Sequence, residues 1–322
     1  MQHLNDEIQV AISAVRQASQ VCHRVRQAMA PDVLEKEDRS PVTVADFGSQ
    51  AVICRALQSA FPQDPIIGEE SSEALRRDDQ CLFLDQIQRE LQHADLDCSH
   101  QDICEWIDAG SSQNYSDRFW TLDPIDGTKG YLRGGQYAVA LALVIEGQVT
   151  IGVLGCPNLC FTDEYKNGSL YTAVRGQGSW CEPLQADAEP RRMAVSQSES
   201  LRICESVESG HSSRGRSAQV AENMGISREP LRMDSQAKYA AVAHGQAEIY
   251  LRLPTRAAYT EKIWDHAAGA LIVEEAGGRI TDVEGKPLER THGYQLEANR
   301  GVIVSNGTAH DRVLTALRDQ GV

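Results

Sequence analysis

The chain is expected to fold as α/β, and three observations carry that expectation. Apolar residues recur at helical spacing in some segments and as short continuous runs in others. Two such runs near the middle of the chain, 137–145 and 149–154, are separated only by Glu146-Gly147-Gln148, the signal of an antiparallel hairpin. Beyond about residue 200, strand-like and helix-like segments alternate. The first part therefore reads as an α+β lobe and the second as an α/β lobe. The elements follow in order. Ile8, Ile12, Val15, Cys22, Val25 and Met29 predict a first helix that Pro31 closes. The polar stretch 35–40 leads into a second helix with Val44, Val52, Ile53, Ala56, Leu57 and Ala60 on its apolar face, stopping before Pro62. Ile66-Ile67-Gly68 predicts a buried strand that delivers Glu69-Glu70. Residues 71–117 are polar, helical around Leu84, Ile87 and Leu91, and carry no legible chemistry. A strand over 119–122 is expected to end abruptly in DPIDGTKG. After the central hairpin comes a second one, 170–174 with Gly176 and Gly178. Residues 182–200 lose hydrophobicity and hold two prolines, so the boundary between lobes 1–190 and 191–322 is placed there. The pattern then predicts strand 231–233, helix 236–243, strand 247–253, helix 266–276 ended by Gly277-Gly278, strand 302–304 and a last helix to Arg318.

Composition narrows the function. A formal charge of −15 argues against a nucleic-acid or anionic-membrane surface, which needs a basic face. The longest apolar run, 137–145, is about half of what a membrane-spanning helix requires. No basic and apolar leader opens the chain, so a cytoplasmic protein is expected. Nine cysteines at irregular spacing read as buried, reduced thiols, and Cys156 and Cys160 have no nearby His to complete a zinc site. Trp120 and Trp264 read as core, and His266 as structural.

The chemistry concentrates in carboxylates. Asp123-Pro124-Ile125-Asp126-Gly127-Thr128 holds two of them at one bend at the end of a strand, where open α/β sheets gather functional groups. Taken alone, Asp-Gly-Thr is ordinary turn and cap vocabulary, Glu69-Glu70 is a solvated strand end, and Asp265 in Trp264-Asp265-His266 is a helix cap. Together they form an all-oxygen set of the kind a hard divalent cation takes, magnesium foremost. Haloacid-dehalogenase-type phosphatases also carry Asp-Gly-Thr, but their two aspartates stand one residue apart, whereas Asp123 and Asp126 are separated by two.

These strings resemble the three signatures of the lithium-sensitive, magnesium-dependent inositol monophosphatase-like superfamily: Glu69-Glu70, DPIDGT at 123–128 and WDHAAG at 264–269. SPVTVAD at 40–46, LDPIDGTKGYLRG at 122–134, ESVESGH at 205–211, DSQAKY at 234–239 and IYLRLP with EKIWDHAAG in 249–269 are similar to its 3′(2′),5′-bisphosphate nucleotidase branch. The resemblance implies a layered α-β-α-β-α sugar-phosphatase fold. It implies two or three magnesium ions held by Glu69, Asp123, the Ile125 carbonyl, Asp126 and Asp265, with Thr128 and Asp46 activating the attacking water. It also implies that Thr128, His211, Ser235, Lys238, Arg252 and Asp265 bind the nucleotide. The expected reaction is hydrolysis of the 3′-phosphate of adenosine 3′,5′-bisphosphate, and of 3′-phosphoadenylyl sulfate, in sulfate assimilation, by a monomer. Two rivals stand beside it: an inositol (poly)phosphate 1-phosphatase, against which the nucleotide strings argue, and a non-catalytic nucleotide sensor, against which the intact Asp46–Thr128 pair argues.

Overall fold

The computed structural model describes residues 4–28, 33–35, 41–160, 165–185, 188–207, 214–254 and 259–321. Helix α1 (Asn5–Ala28) buries Ala11, Ala14, Val15, Ala18, Val21, Cys22 and Val25, three and four residues apart, and opens on Asp6 and Glu7, which favour its positive end. A short ladder of β1 (Val33–Glu35) and β2 (Pro41–Thr43) leads into α2 (Val44–Ala60). The start of α2 is fixed by a capping box: the Thr43 hydroxyl accepts from Ala45 N at 3.1 Å, and Asp46 Oδ2 accepts from Thr43 N at 2.8 Å. Strand β3 (Ile66–Gly68) is followed by α3 (Cys81–Gln92) and α4 (His100–Asp108), which account for the polar stretch 71–117.

Strand β4 (Arg118–Asp126) runs on through the aspartates where the sequence predicts an abrupt end, and α5 (Thr128–Arg133) follows. Strands β5 (Ala138–Ile145), β6 (Gln148–Cys156), β7 (Ser169–Val174), β8 (Gly178–Pro183) and β9 (Arg191–Arg192) complete a seven-stranded sheet. Its strands lie in chain order, antiparallel throughout except for the parallel β3–β4 pair. The second part contributes β10 (Ile203–Glu205), α6 (Arg214–Asn223), β11 (Leu231–Arg232), α7 (Ala237–Ala243), β12 (Ile249–Arg252), α8 (Ala267–Glu275), β13 (Arg279–Thr281), β14 (Val302–Ser305) and α9 (His310–Arg318). Its five strands take the order β11-β10-β12-β14-β13, with parallel β11, β10 and β12 beside antiparallel β14 and β13. Alternation alone did not signal that the sheet turns antiparallel on one side.

The layers follow from which helices are apolar on one side and which all round. Helices α1 and α2 cover one face of the large sheet, and α8 packs against the other face and also touches β13. Residues 267–273 of α8 are all buried, as expected of a helix held between two sheets. Helix α7 packs with α8 against the small sheet, and α6 and α9 lie on that sheet's far side. The result is the expected α-β-α-β-α stack. Trp120 is fully buried, but Trp264 is only half-buried, its ring stacked on Tyr294 at 5.8 Å. All nine cysteines are free, and seven of them are buried. Among the described residues no helix is long and apolar enough to cross a membrane.

One buried group gives the fold a pH signature. His310 is held between Ser305 Oγ and Thr281 Oγ1, each at 2.9 Å. Burial first, then Arg279, pushes its imidazole down from the usual 6.5 to about 4. The unfolded chain takes up a proton that the folded chain refuses, so the His310 contribution is intact above 6.5 and is lost as pH falls towards 4. His310→Gln is therefore expected to lessen the fall of the melting temperature across that window; parallel profiles for the two proteins would refute it.

Candidate active site

The site begins with an irregularity in β4. Asp123 pairs with Ala140 and Asp126 with Ala138, so three steps along β4 face two along β5. In a regular strand, residues three apart point to opposite faces; the extra residue restores the same face. Pro124, which has no N–H for the ladder, sits inside this bulge, and Ser49 Oγ on α2 donates to its carbonyl at 2.9 Å. Gly127 then turns the chain at φ 88°, a left-handed conformation that glycine adopts without strain. Thr128 thereby starts α5 directly behind the two aspartates.

Other elements deliver their groups to the same place. Glu69 leaves β3 with its N–H bonded to Leu122 O at 3.2 Å. Gln50 on α2 secures the next residue: its Oε1 accepts from Glu70 N at 3.0 Å, while Nε2 donates to Glu70 O at 2.6 Å and Ile107 O at 3.0 Å. Asp265 ends a short helical turn (Ile263–Asp265) before α8. Carboxylate oxygens of Asp123, Asp126 and Asp265 all lie within 4.8 Å of one another. A cleft of about 260 Å³ is lined by these three together with Glu69, Ile125, Thr128, Ser235, Lys238 and Arg252. Asp46 stands behind it: Thr128 Oγ1 has Asp46 Oδ1 and Ile125 O as alternative acceptors for its one proton, each at 3.3 Å. His211 lies outside the described residues.

The charges in the cleft are unbalanced. Burial, then Glu69, Asp126 and Asp265, pushes the Asp123 carboxyl well above its ordinary value. Burial and Asp265 push Asp126 up to about 7, against the pull of Lys238 and Arg252. Asp265 is raised by burial too, with Arg252 opposing. Asp123 Oδ1 is buried without a hydrogen-bond partner among the described residues. An acceptor-only oxygen left bare in a nest of carboxylates fits a hard divalent cation, which takes oxygen ligands and removes the repulsion.

The basic side chains are more constrained than their sequence positions suggest. Arg252 is tied to Glu261 Oε2 at 2.7 Å and to Asp265 Oδ2 at 3.0 Å, and its Nη2 also donates to Tyr259 Oη at 3.3 Å. It is part of a buried relay, since Glu261 also meets His266 Nε2 at 3.1 Å and His266 Nδ1 meets Tyr239 Oη at 2.6 Å. Burial works against ionisation of Glu261, yet Arg252 and His266 hold its carboxyl down at about 2. Lys238 is buried, donates to Ser235 O at 2.7 Å and lies 5.2 Å from the Tyr250 ring centre. Burial lowers its ammonium pKa, and Asp126 opposes the shift. Ser235 itself has φ 65°, strain of about 1–3 kcal/mol of the kind that gathers at functional sites. Ser49, Gln50, Gln236 and Glu261 are the residues that sequence reasoning missed. Nothing in their immediate sequence sets them apart from other polar residues, and their only signal is that a buried polar side chain needs a partner.

The sequence pattern of the Inositol monophosphatase family matches residues 3–321. A 3′(2′),5′-bisphosphate nucleotidase of Schizosaccharomyces pombe is 42% identical, covering 96% of this chain and 94% of that protein. A probable 3′(2′),5′-bisphosphate nucleotidase 4 of Arabidopsis thaliana is 40% identical, covering 97% and 94%. Among solved structures, an IMPase of Thermotoga maritima superposes with a TM-score of 0.67 at 22% identity, covering 98% of this chain and 97% of that one. At that identity the likeness speaks for the fold alone.

Proposed function

The chain belongs to the inositol monophosphatase family, and on that premise we propose that it is a magnesium-dependent phosphatase that hydrolyses the 3′-phosphate of adenosine 3′,5′-bisphosphate, giving AMP and phosphate. The single observation that carries the reading is the convergence of Glu69, Asp123, Asp126 and Asp265 on one cleft, with the Asp46–Thr128 pair directly behind it. The names of the nucleotidase relatives supply the substrate class. 3′-Phosphoadenylyl sulfate, with the same 3′-phosphate, is the second substrate, which places the protein in sulfate assimilation.

Glu69, Asp123, Asp126, Asp265 and the Ile125 carbonyl would hold the magnesium ions. When bound, the ions supply positive charge to the attacking and leaving oxygens and acidify a water. The chain's own part is positioning and proton transfer. Thr128 Oγ1 orients the attacking water and passes its proton towards Asp46, a buried carboxylate whose Oδ2 is already held by Thr43. Burial of Asp46 and its fixed place on α2 keep the acceptor aligned without reorganisation during the step. Lys238 and Arg252, with Ser235, face the other phosphate and the ribose. Because Arg252 is shared with Glu261 and Asp265, it acts as part of that relay and not as an isolated cation.

The test is phosphate release from adenosine 3′,5′-bisphosphate, AMP and inositol monophosphates, with and without magnesium, for the parent protein and for Lys238→Met. The expected result is magnesium-dependent release from the bisphosphate in preference to the others. The substitution should raise KM for the bisphosphate about 10-fold or more, the scale of one charge-assisted hydrogen bond, and leave inositol phosphate turnover little changed. Preference for inositol phosphates would instead assign the cleft to that substrate class. Arg252→Ala is the poorer probe, since it strands two buried carboxylates.

A further inference from the structure

Gln236 takes no part in the chemistry above, yet three hydrogen bonds place it between the carboxylate arms. Its backbone N–H donates to Asp126 Oδ2 at 2.6 Å. Its side-chain Nε2 donates to Trp264 O at 2.8 Å, and its Oε1 accepts from Gly269 N at 3.0 Å. Only 1% of the residue is exposed, so none of these bonds competes with bulk water.

The arrangement is directional. The main chain of Gln236 holds the carboxylate that the large sheet contributes. The donor half of its amide takes the carbonyl just before Asp265, and the acceptor half takes an N–H in the first turn of α8. The segment carrying Asp265 is thus pinned on both sides by one planar group. Gly269 permits the close approach: a Cβ there would stand 2.5 Å from Cγ of Tyr239 on α7. The left-handed turn at Ser235 sits immediately before this clamp and turns the chain at the point where the Gln236 N–H meets Asp126.

We infer that Gln236 is a positioning residue that sets the separation of Asp126 and Asp265, and thereby the affinity of the cleft for a divalent cation. The inference rests on the metal reading proposed above. Groups that hold metal ligands in place change affinity by about 10–100-fold when removed, whereas a residue that merely packs changes stability alone.

The probe is magnesium itself, titrated into the full-length protein by calorimetry without substrate. Gln236→Met keeps the length and the backbone N–H but loses both side-chain hydrogen bonds. It is expected to bind magnesium about 10–100-fold more weakly. The half-saturating magnesium for turnover should shift by the same factor, and kcat at saturating magnesium should stay close to that of the parent. Gln236→Asn, with the amide on an arm one methylene shorter, serves if the Met variant does not fold, and its affinity should fall between the two. Unchanged magnesium affinity in a folded variant overturns the inference, and so does a lower melting temperature with affinity preserved. A parent protein that binds no magnesium overturns the metal reading and this inference with it. Preference of the parent protein for inositol phosphates, with the magnesium shift intact in the variant, overturns only the substrate assignment.

Discussion

Asp123→Asn is expected to end phosphate release and to raise the melting temperature of the metal-free protein. The two effects have one cause. Without a cation, Asp123 stays charged against Glu69, Asp126 and Asp265, or else takes up a proton that water would not give it; both cost free energy. Asparagine has nearly the same shape and no charge, so the metal-free fold is relieved. A gain of about 1 kcal/mol, or roughly 1–2 °C in a chain of this size, is the expected scale. The same change removes an anionic ligand from the cleft. The expected fall in kcat/KM is at least about 10³-fold, corresponding to the several kcal/mol that a bound cation contributes to the transition state. Scanning calorimetry with chelator and with magnesium, beside a phosphate-release assay, checks both halves. Magnesium should stabilise the parent, by about 2.7 kcal/mol at a hundred times Kd, and leave the variant nearly unmoved. A variant that is less stable without metal, or that keeps near-normal turnover, would sink the assignment.

Thr128→Ala is the complementary case, in which metal binding survives and catalysis does not. The hydroxyl lies between Asp46 Oδ1 and Ile125 O at 3.3 Å from each, a place from which it would relay a proton, and it is itself none of the proposed metal ligands. Its loss should cost about 10²–10⁴-fold in kcat, the usual worth of a general base, while KM and calorimetric magnesium affinity hold. Thr128→Ser restores the hydroxyl and should restore most of the rate. Asp46→Asn is less clean, because Asp46 also completes the capping box of α2 through Thr43; it should cost about 1 kcal/mol of stability in addition to activity. An alanine variant with kcat close to that of the parent would remove Thr128 from the mechanism.

Much of the site was legible because its residues come as short strings whose side chains need one another chemically. Carboxylates at Glu69, Asp123, Asp126 and Asp265 together read as an all-oxygen set for a hard cation, and each lies beside an apolar run. The supports were not legible. Ser49 bonding to Pro124 O, Gln50 to Glu70 and Gln236 to Trp264 join residues 75, 20 and 28 positions apart. No local pattern marks a polar residue that is buried in order to satisfy a distant backbone group. Arg252 likewise reads as a strand-end charge until Glu261 and Asp265 are seen on either side of it.

The sequence by itself determined the α/β class, the order of most helices and strands, and the carboxylates that meet in one cleft. Hydrophobic periodicity and turn residues act locally, and like charges near strand ends restrict what they can do. Only the tertiary structure decided how those carboxylates meet. A bulge between Asp123 and Asp126 puts residues of opposite parity on one face, and the turn that carries Asp265 is held directly before α8, whose residues 267–273 are all buried. Both depend on pairing register and close packing between segments far apart in the chain, which no single segment encodes.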